Sequence, residues 1–377
     1  MALAVLAFLV SSALLAEAAV RLGRRFWFSA LLEDPVARHN VVLGWDARPG
    51  ARAEVDGAEV EINDDGQRGP AVPLERGPGE RRVLLLGDAF IEGAGVPEPD
   101  TLRAQLQRLM PASAQVLNAG VAGFSTDQEL LLYRARGRRL HPDVVVLGFV
   151  SDDVYGNTAS RVGVDRKPRF EIVDDRLRLL AFPLDPEPVF PHREHPRPHG
   201  GQPWRGSLGL RLISNYTLER WPRLHARLAA LGLVQPTGVP AELTVYGRRE
   251  ELDEPWTLTR TLLRRLKQEI EADGGALVVL YVPTAFEIDD RAWSDVRARY
   301  GMAERQWTRT EVADRLRVVC DKVGLSLVDP TSALRRVQAR EPAYGENGLW
   351  TAAGHEAAAR ALLETVGGHP PVAVAAK

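Results

Sequence analysis

The chain has very little cysteine. Cys320 is the single thiol in 377 residues, which rules out an internal disulfide and any metal site built from several cysteines. Charge of one sign is also lacking. Forty-eight basic residues nearly cancel 50 acidic ones, giving a formal net charge of −2. There is thus no general attraction to nucleic acid or to an anionic membrane surface. Internal repeats are absent. Long hydrophobic runs are absent too, except at the start, where "MALAVLAFLVSSALLA" carries no charge before Glu17. With 45% hydrophobic and 26% charged residues, the chain is otherwise ordinary for a globular protein and long enough to bury one large core.

The opening run fits a membrane anchor or export segment over 1–25, with Ala16-Glu17-Ala18 as a small-residue cleavage site. No basic residue precedes it; Arg21, Arg24 and Arg25 follow it. The positive-inside rule read literally places the body in the cytoplasm, whereas a start codon set too late would remove the basic flank. We expect an anchored protein on the extracytoplasmic side, with orientation open. A buried core helix is the alternative. Residues 26–80 form an extension rich in turn signals, and the alternation in "AEVDGAEVEI" predicts a hairpin about Asp56-Gly57.

From residue 82 the pattern changes. "RVLLLG", "AQVLNAG", "DVVVLGFV", "ALVVLYV" and "LSLVD" are short apolar runs separated by amphipathic helical stretches. This predicts a three-layer α/β/α domain over 81–366, with a five-stranded parallel sheet in flavodoxin-like order and a tail at 367–377. Ligands of such sheets bind beyond the carboxyl ends of the strands, where Gly87, Gly120 and Phe149 fall. The alternation breaks over about 155–255, a proline-dense insertion placed to act as lid or wall. Its His192, His195 and His199 lack carboxylate or cysteine companions at the defined spacing a metal site requires and read as a solvated loop.

Four stretches, "VLLLGDAFIEGAGV", "VLNAGVAGFSTDQELLL", "HPDVVVLGFVSDDV" and "NGLWTAAGHEAAA", resemble the SGNH, or GDSL-type, serine hydrolases. "INDDGQRGP" is similar to the extension of membrane-anchored bacterial members. The resemblance implies a flavodoxin-like fold and a site built from a serine after Gly-Asp, an oxyanion-hole glycine and asparagine, and an Asp–His pair near the C-terminus. Carried over residue by residue, it places Ala89 at the serine position, Gly123 at the glycine, Asp152 at the asparagine and Leu349 at the histidine. The acidic partner falls on Asn347 under Asp-x-His spacing, or on Glu346 under the longer spacing.

Each replacement removes a step. Ala89 cannot attack, Leu349 cannot take a proton, and a carboxylate at Asp152 repels the charge an oxyanion hole must stabilise. Losing the serine or histidine alone costs about 10⁶-fold in a serine hydrolase. Ser125 and Thr126 read as helix capping in "STDQE"; Asp88 reads as an acceptor of backbone hydrogen bonds in its turn; His355 reads as structural. The expectation is a catalytically silent protein that retains a ligand or partner site at Asp88, Ala89, Gly123, Asp152 and Leu349. Its expected ligand is an acylated sugar or ester-like molecule, and its expected context is envelope assembly. No metal, cofactor or nucleic acid is expected. Two alternatives remain open: an esterase or acyltransferase working through Asp88, Asp152 and Asp153, and a structural or assembly protein.

Overall fold

The computed structural model describes residues 34–162, 165–180, 183–184, 239–247 and 252–368. The predicted anchor, the histidine cluster and much of the 155–255 insertion lie outside them. Among the described residues no helix is long and apolar enough to cross a membrane.

Five strands form the central sheet: β1 (Arg81–Leu86), β2 (Ala114–Asn118), β3 (Val144–Val150), β4 (Ala276–Val282) and β5 (Ser326–Val328). All neighbours are parallel and the order is β2-β1-β3-β4-β5, the flavodoxin-like order expected from the alternating pattern. Period-two alternation decides which layer each side chain enters. Val83 and Leu85 of β1 share one core with Val144 and Val146 of β3 and with Ala358 and Leu362 of the helix Ala352–Gly368. Leu84 and Leu86 join the opposite core with Leu130, Leu262 and Leu316, from the helices Thr126–Ala135, Asp253–Ala272 and Glu311–Val323. Both faces are therefore covered, as continuous apolar strands require.

The extension is folded onto this domain. Its predicted hairpin pairs Arg52–Val55 with Ala58–Glu61, and Asp56 (φ 52°) and Gly57 (φ 77°) supply the two left-handed residues of a primed turn. A second hairpin, Ala37–Asn40 with Gly44–Ala47, carries Trp45. The Trp45 indole N–H donates to the Ala122 carbonyl at 2.9 Å, and its ring meets Phe124 edge-on at 5.8 Å. In "INDDGQRGP", Arg68 is 2% exposed. Its guanidinium donates to the carbonyls of Glu92 (3.1 Å), Val96 (2.6 Å) and Gly93, while its backbone N–H reaches Asn118 at the end of β2 (3.1 Å). One residue thus joins the extension to the loop that follows β1, through its side chain, and to the end of β2, through its backbone.

Removing that guanidinium leaves buried carbonyls without donors, each a cost of about 1–3 kcal/mol. Arg68→Met is expected to lower unfolding free energy by about 3 kcal/mol, measured by urea denaturation of the variant against the parent.

Candidate functional site

The carboxyl end of β1 is shaped by three residues. Gly87 has φ 154°, and a Cβ there would lie 2.3 Å from Ile91 Cγ1, so the turn takes only glycine. Asp88 accepts a hydrogen bond from the Phe90 N–H at 3.0 Å and caps the one-turn helix Ala89–Glu92. Ala89 opens that helix and is 2% exposed.

The turn after β2 is pressed against this helix. Asn118 donates its amide to the Ile91 carbonyl at 2.8 Å and accepts from the Gly120 N–H at 3.0 Å. A Cβ on Gly120 would lie 2.3 Å from the Glu92 nitrogen; only glycine permits that approach. Gly123 follows at φ 76° and is half-buried.

After β3, Asp152 is half-buried and precedes the short helix Asp153–Gly156. Asp153 turns inward and accepts from the Val150 N–H at 2.8 Å. Gly156 packs on Ser125, whose Oγ would lie 2.0 Å from a Cβ at that position. Ser125 holds the cap position of the helix Thr126–Ala135, but its hydroxyl makes no capping bond. Asn157 replaces it, accepting from the Asp127 N–H at 3.0 Å and donating to Thr259 at 3.1 Å. The capping role read for "STDQE" therefore passes to Asn157, which follows the short helix after β3.

The C-terminal block closes against the first. Leu349 is 1% exposed. Asn347 accepts from the Leu349 N–H at 3.1 Å, and its amide nitrogen lies 2.8 Å from the Cβ position of Gly95. Phe90 meets Trp350 with ring centroids 5.1 Å apart, and Ala89, Phe90, Leu349 and Trp350 belong to one apolar cluster. Ala89, Gly123, Asp152, Asn347 and Leu349 are thereby carried by loops at one end of the sheet. Glu346 is exposed. His355 is not a substitute base. It is 1% exposed, its ring lies edge-on to Trp350, and burial, with the positive charge of Arg68, pushes its pKa down to about 3. Thr126 is fully buried and its hydroxyl has no partner among the described residues, so nothing among them activates it.

Two residues that the sequence reading left out define the electrostatics. Glu129, in the first turn of Thr126–Ala135, is 0% exposed, and neither carboxylate oxygen has a hydrogen-bond partner among the described residues. Desolvation raises its pKa well above the usual range, and the charges of Asp88, Asp127 and Asp152 add to this against the pull of Lys167. Asp153 is raised the same way, by desolvation first, then by Glu129, Asp152 and Asp88. Lys167, from the described part of the insertion, is 0% exposed and donates to Asp127 Oδ1 at 2.7 Å and to the Gly156 carbonyl at 2.6 Å. Even with this partner, burial holds Asp127 up at about 6. Acidic residues in a helix's first turn pass for surface capping in a sequence. Only the fold shows these two buried.

Carboxyl groups with raised folded-state pKa values destabilise the fold once they must ionise. Stability from this source is fully present below about pH 4, the unfolded value, and is lost as pH rises through the folded values. Glu129→Gln is therefore expected to stabilise the protein at pH 8 and to change little at pH 4. Thermal unfolding of both proteins across pH 4–8 measures the difference.

Several solved hydrolases are similar in fold. They include an alpha/beta hydrolase enzyme from the metagenome of Lake Arreo, at 14% identity, covering 78% of this chain and 97% of that one with a TM-score of 0.39. The lipase/acylhydrolase from Enterococcus faecalis is 13% identical, covering 78% of this chain and 100% of that one, TM-score 0.39. An acetylxylan esterase from Geobacillus stearothermophilus is 13% identical, covering 78% of this chain and 97% of that one, TM-score 0.38. No family model matches the chain, and no curated protein matches it. Likeness at this distance transfers no activity or residue role. The parallel five-stranded sheet between helical layers, in the order β2-β1-β3-β4-β5, is a flavodoxin-like three-layer α/β/α fold.

Proposed function

We propose that this is a catalytically silent SGNH-type protein whose sheet end serves as a ligand or partner site, in a membrane-anchored, envelope-facing context. The observation that carries the reading is what stands at the two reacting positions. Where the resemblance calls for a nucleophile and its base there are the methyl of Ala89 and the isobutyl of Leu349, both buried in one apolar cluster tied by the Phe90–Trp350 contact. Hydrocarbon at both positions can neither attack nor move a proton. The polar surface left to a ligand is that of the half-buried Gly123, Asp152 and Asn347.

A second reading, carboxylate-based hydrolysis through Asp88, Asp152 and Asp153, draws on the raised pKa values of Asp153 and of Glu129. Both side chains are nearly or fully buried, at 3% and 0% exposure. Asp153 is also committed to the Val150 N–H. Neither presents itself to a substrate, so the silent reading is preferred.

Purified protein is expected to hydrolyse short acyl esters no faster than buffer and to resist labelling by serine-directed phosphonates. Ala89→Ser alone is expected to stay inactive, because a serine without base or oxyanion donor is an ordinary alcohol. Ester turnover by the unmodified protein, abolished by Asp88→Asn or Asp152→Asn, would establish the carboxylate reading instead.

A further inference from the structure

Two helices of one outer layer face each other across a groove. Asp253–Ala272 leads into β4 and Glu311–Val323 into β5, and the two pack against each other. Positions 253, 256, 257 and 260 of the first form one stripe at helical spacing, and positions 314, 315, 318, 319 and 322 of the second form another. Between the stripes lies a cavity of about 540 Å³, in the size range of small-molecule sites. From 253 to 260 the helix rises about 10 Å. None of these residues belongs to the sheet-end site, so nothing below depends on that reading.

The charges of the groove are unevenly paired. Asp253 meets Arg315 at 3.7 Å, and Asp314 meets Arg317 at 3.1 Å. Both acids thus have a guanidinium partner. Arg260 and Lys322 have neither an ion pair nor a hydrogen bond among the described residues. Arg260 is half-buried, and its Nε is held out of water without a partner. Trp256 is 6% exposed, and its indole N–H is in the same state. These groups donate and none of them accepts. A donor kept from water without an acceptor is costly, so what the groove lacks is an acceptor, and beside two cations a negatively charged one.

An apolar surface adjoins the cations. Val318 is 50% exposed, the highest value among the exposed large hydrophobic side chains of the described residues. Val319 and the Trp256 ring line the groove with it, and Trp256 is stacked on Phe149 with centroids 6.2 Å apart. Both helices lead into strands of one parallel sheet. Trp256 precedes Arg260 by one turn, and Val318 precedes Lys322 by one turn. The groove therefore has a cationic end and, next to it, an apolar stretch.

We propose that this groove binds an amphipathic organic anion, a medium-chain carboxylate, with its head at Arg260 and Lys322 and its chain along Trp256 and Val318. An inorganic anion would satisfy the cations and leave the valine in water; an uncharged chain would do the reverse. A flat lipid surface meets the exposed Val318 and Lys322 but not the half-buried Arg260. Only a molecule that enters the groove answers all three.

The test uses the full chain, with methyl-labelled valine, at pH 7 and three probes. Octanoate carries both features, octylammonium has a similar chain with the opposite charge, and acetate has the same head with almost no chain. NMR titration is expected to show saturable shifts of the Val318 and Val319 methyl groups with octanoate, weakened by salt. Its affinity is expected to exceed that of either other probe by at least about tenfold. Arg260→Met removes the charge and keeps an apolar stem, while Val318→Asp sets a like charge beside the ligand at an exposed position. Each is expected to lose about tenfold or more in octanoate affinity, and circular dichroism checks that each is folded. No saturable shift up to about 1 mM octanoate, equal affinity for octylammonium or acetate, or unchanged binding by either folded variant would overturn the inference. Binding to phosphatidylglycerol vesicles with octanoate silent would assign this face to a membrane surface and overturn it as well.

Discussion

Removing Glu129 from water without giving its carboxylate a hydrogen bond from the surrounding described residues is the constraint on which this end of the molecule turns. The side chain comes from the first turn of a helix that must pack its other residues, Leu130 to Tyr133, into the core. Its position follows from that packing. The charges of Asp88, Asp127, Asp152 and Lys167 act on it, and Lys167 pairs with Asp127. Buried charge of this density persists only if protons or cations offset it. Lys167 offsets one carboxylate, and the raised pKa values of Glu129 and Asp153 express how these two are accommodated.

The loops at this end of the sheet are held together without the groups that a serine hydrolase uses. Gly87 and Gly120 are dictated by close approach, Asn118 ties the second turn to the first, and Arg68 ties the extension to both. None of these groups depends on a serine, a histidine or an oxyanion donor being present. Ala89 and Leu349 therefore cost the fold nothing, and the apolar contact of Phe90 with Trp350 closes the site from within. On the proposed reading, loss of chemistry and retention of architecture are compatible because the two rest on different residues.

Much of this was legible in the sequence. Five apolar runs separated by amphipathic stretches specified the sheet and its order, since a parallel strand buried on both faces has to be hydrophobic throughout. Asp56-Gly57 specified its hairpin, as two adjacent left-handed residues leave few alternatives. The assignment of positions 89, 152, 347 and 349 rests on the resemblance of their neighbouring residues alone. Glu129 and Lys167 were not. A glutamate in a first helical turn and a lysine in an irregular insertion carry no local mark of burial, and their meeting depends on chain segments 38 residues apart (167 against 129) being folded together. The transfer of capping from Ser125 to Asn157 was hidden for the same reason: the bond joins residues 30 apart in sequence, which is a tertiary fact.

The central claim is that this end of the sheet holds carboxyl groups that resist ionisation. Carbon-13 NMR titration of side-chain carboxyls, with Glu129→Gln and Asp153→Asn used for assignment, measures it directly. The expected result is resonances for Glu129 and Asp153 that titrate well above the ordinary carboxylate range and shift together, because each group raises the other. Independent titration of both near pH 4, the ordinary carboxylate value, would contradict it.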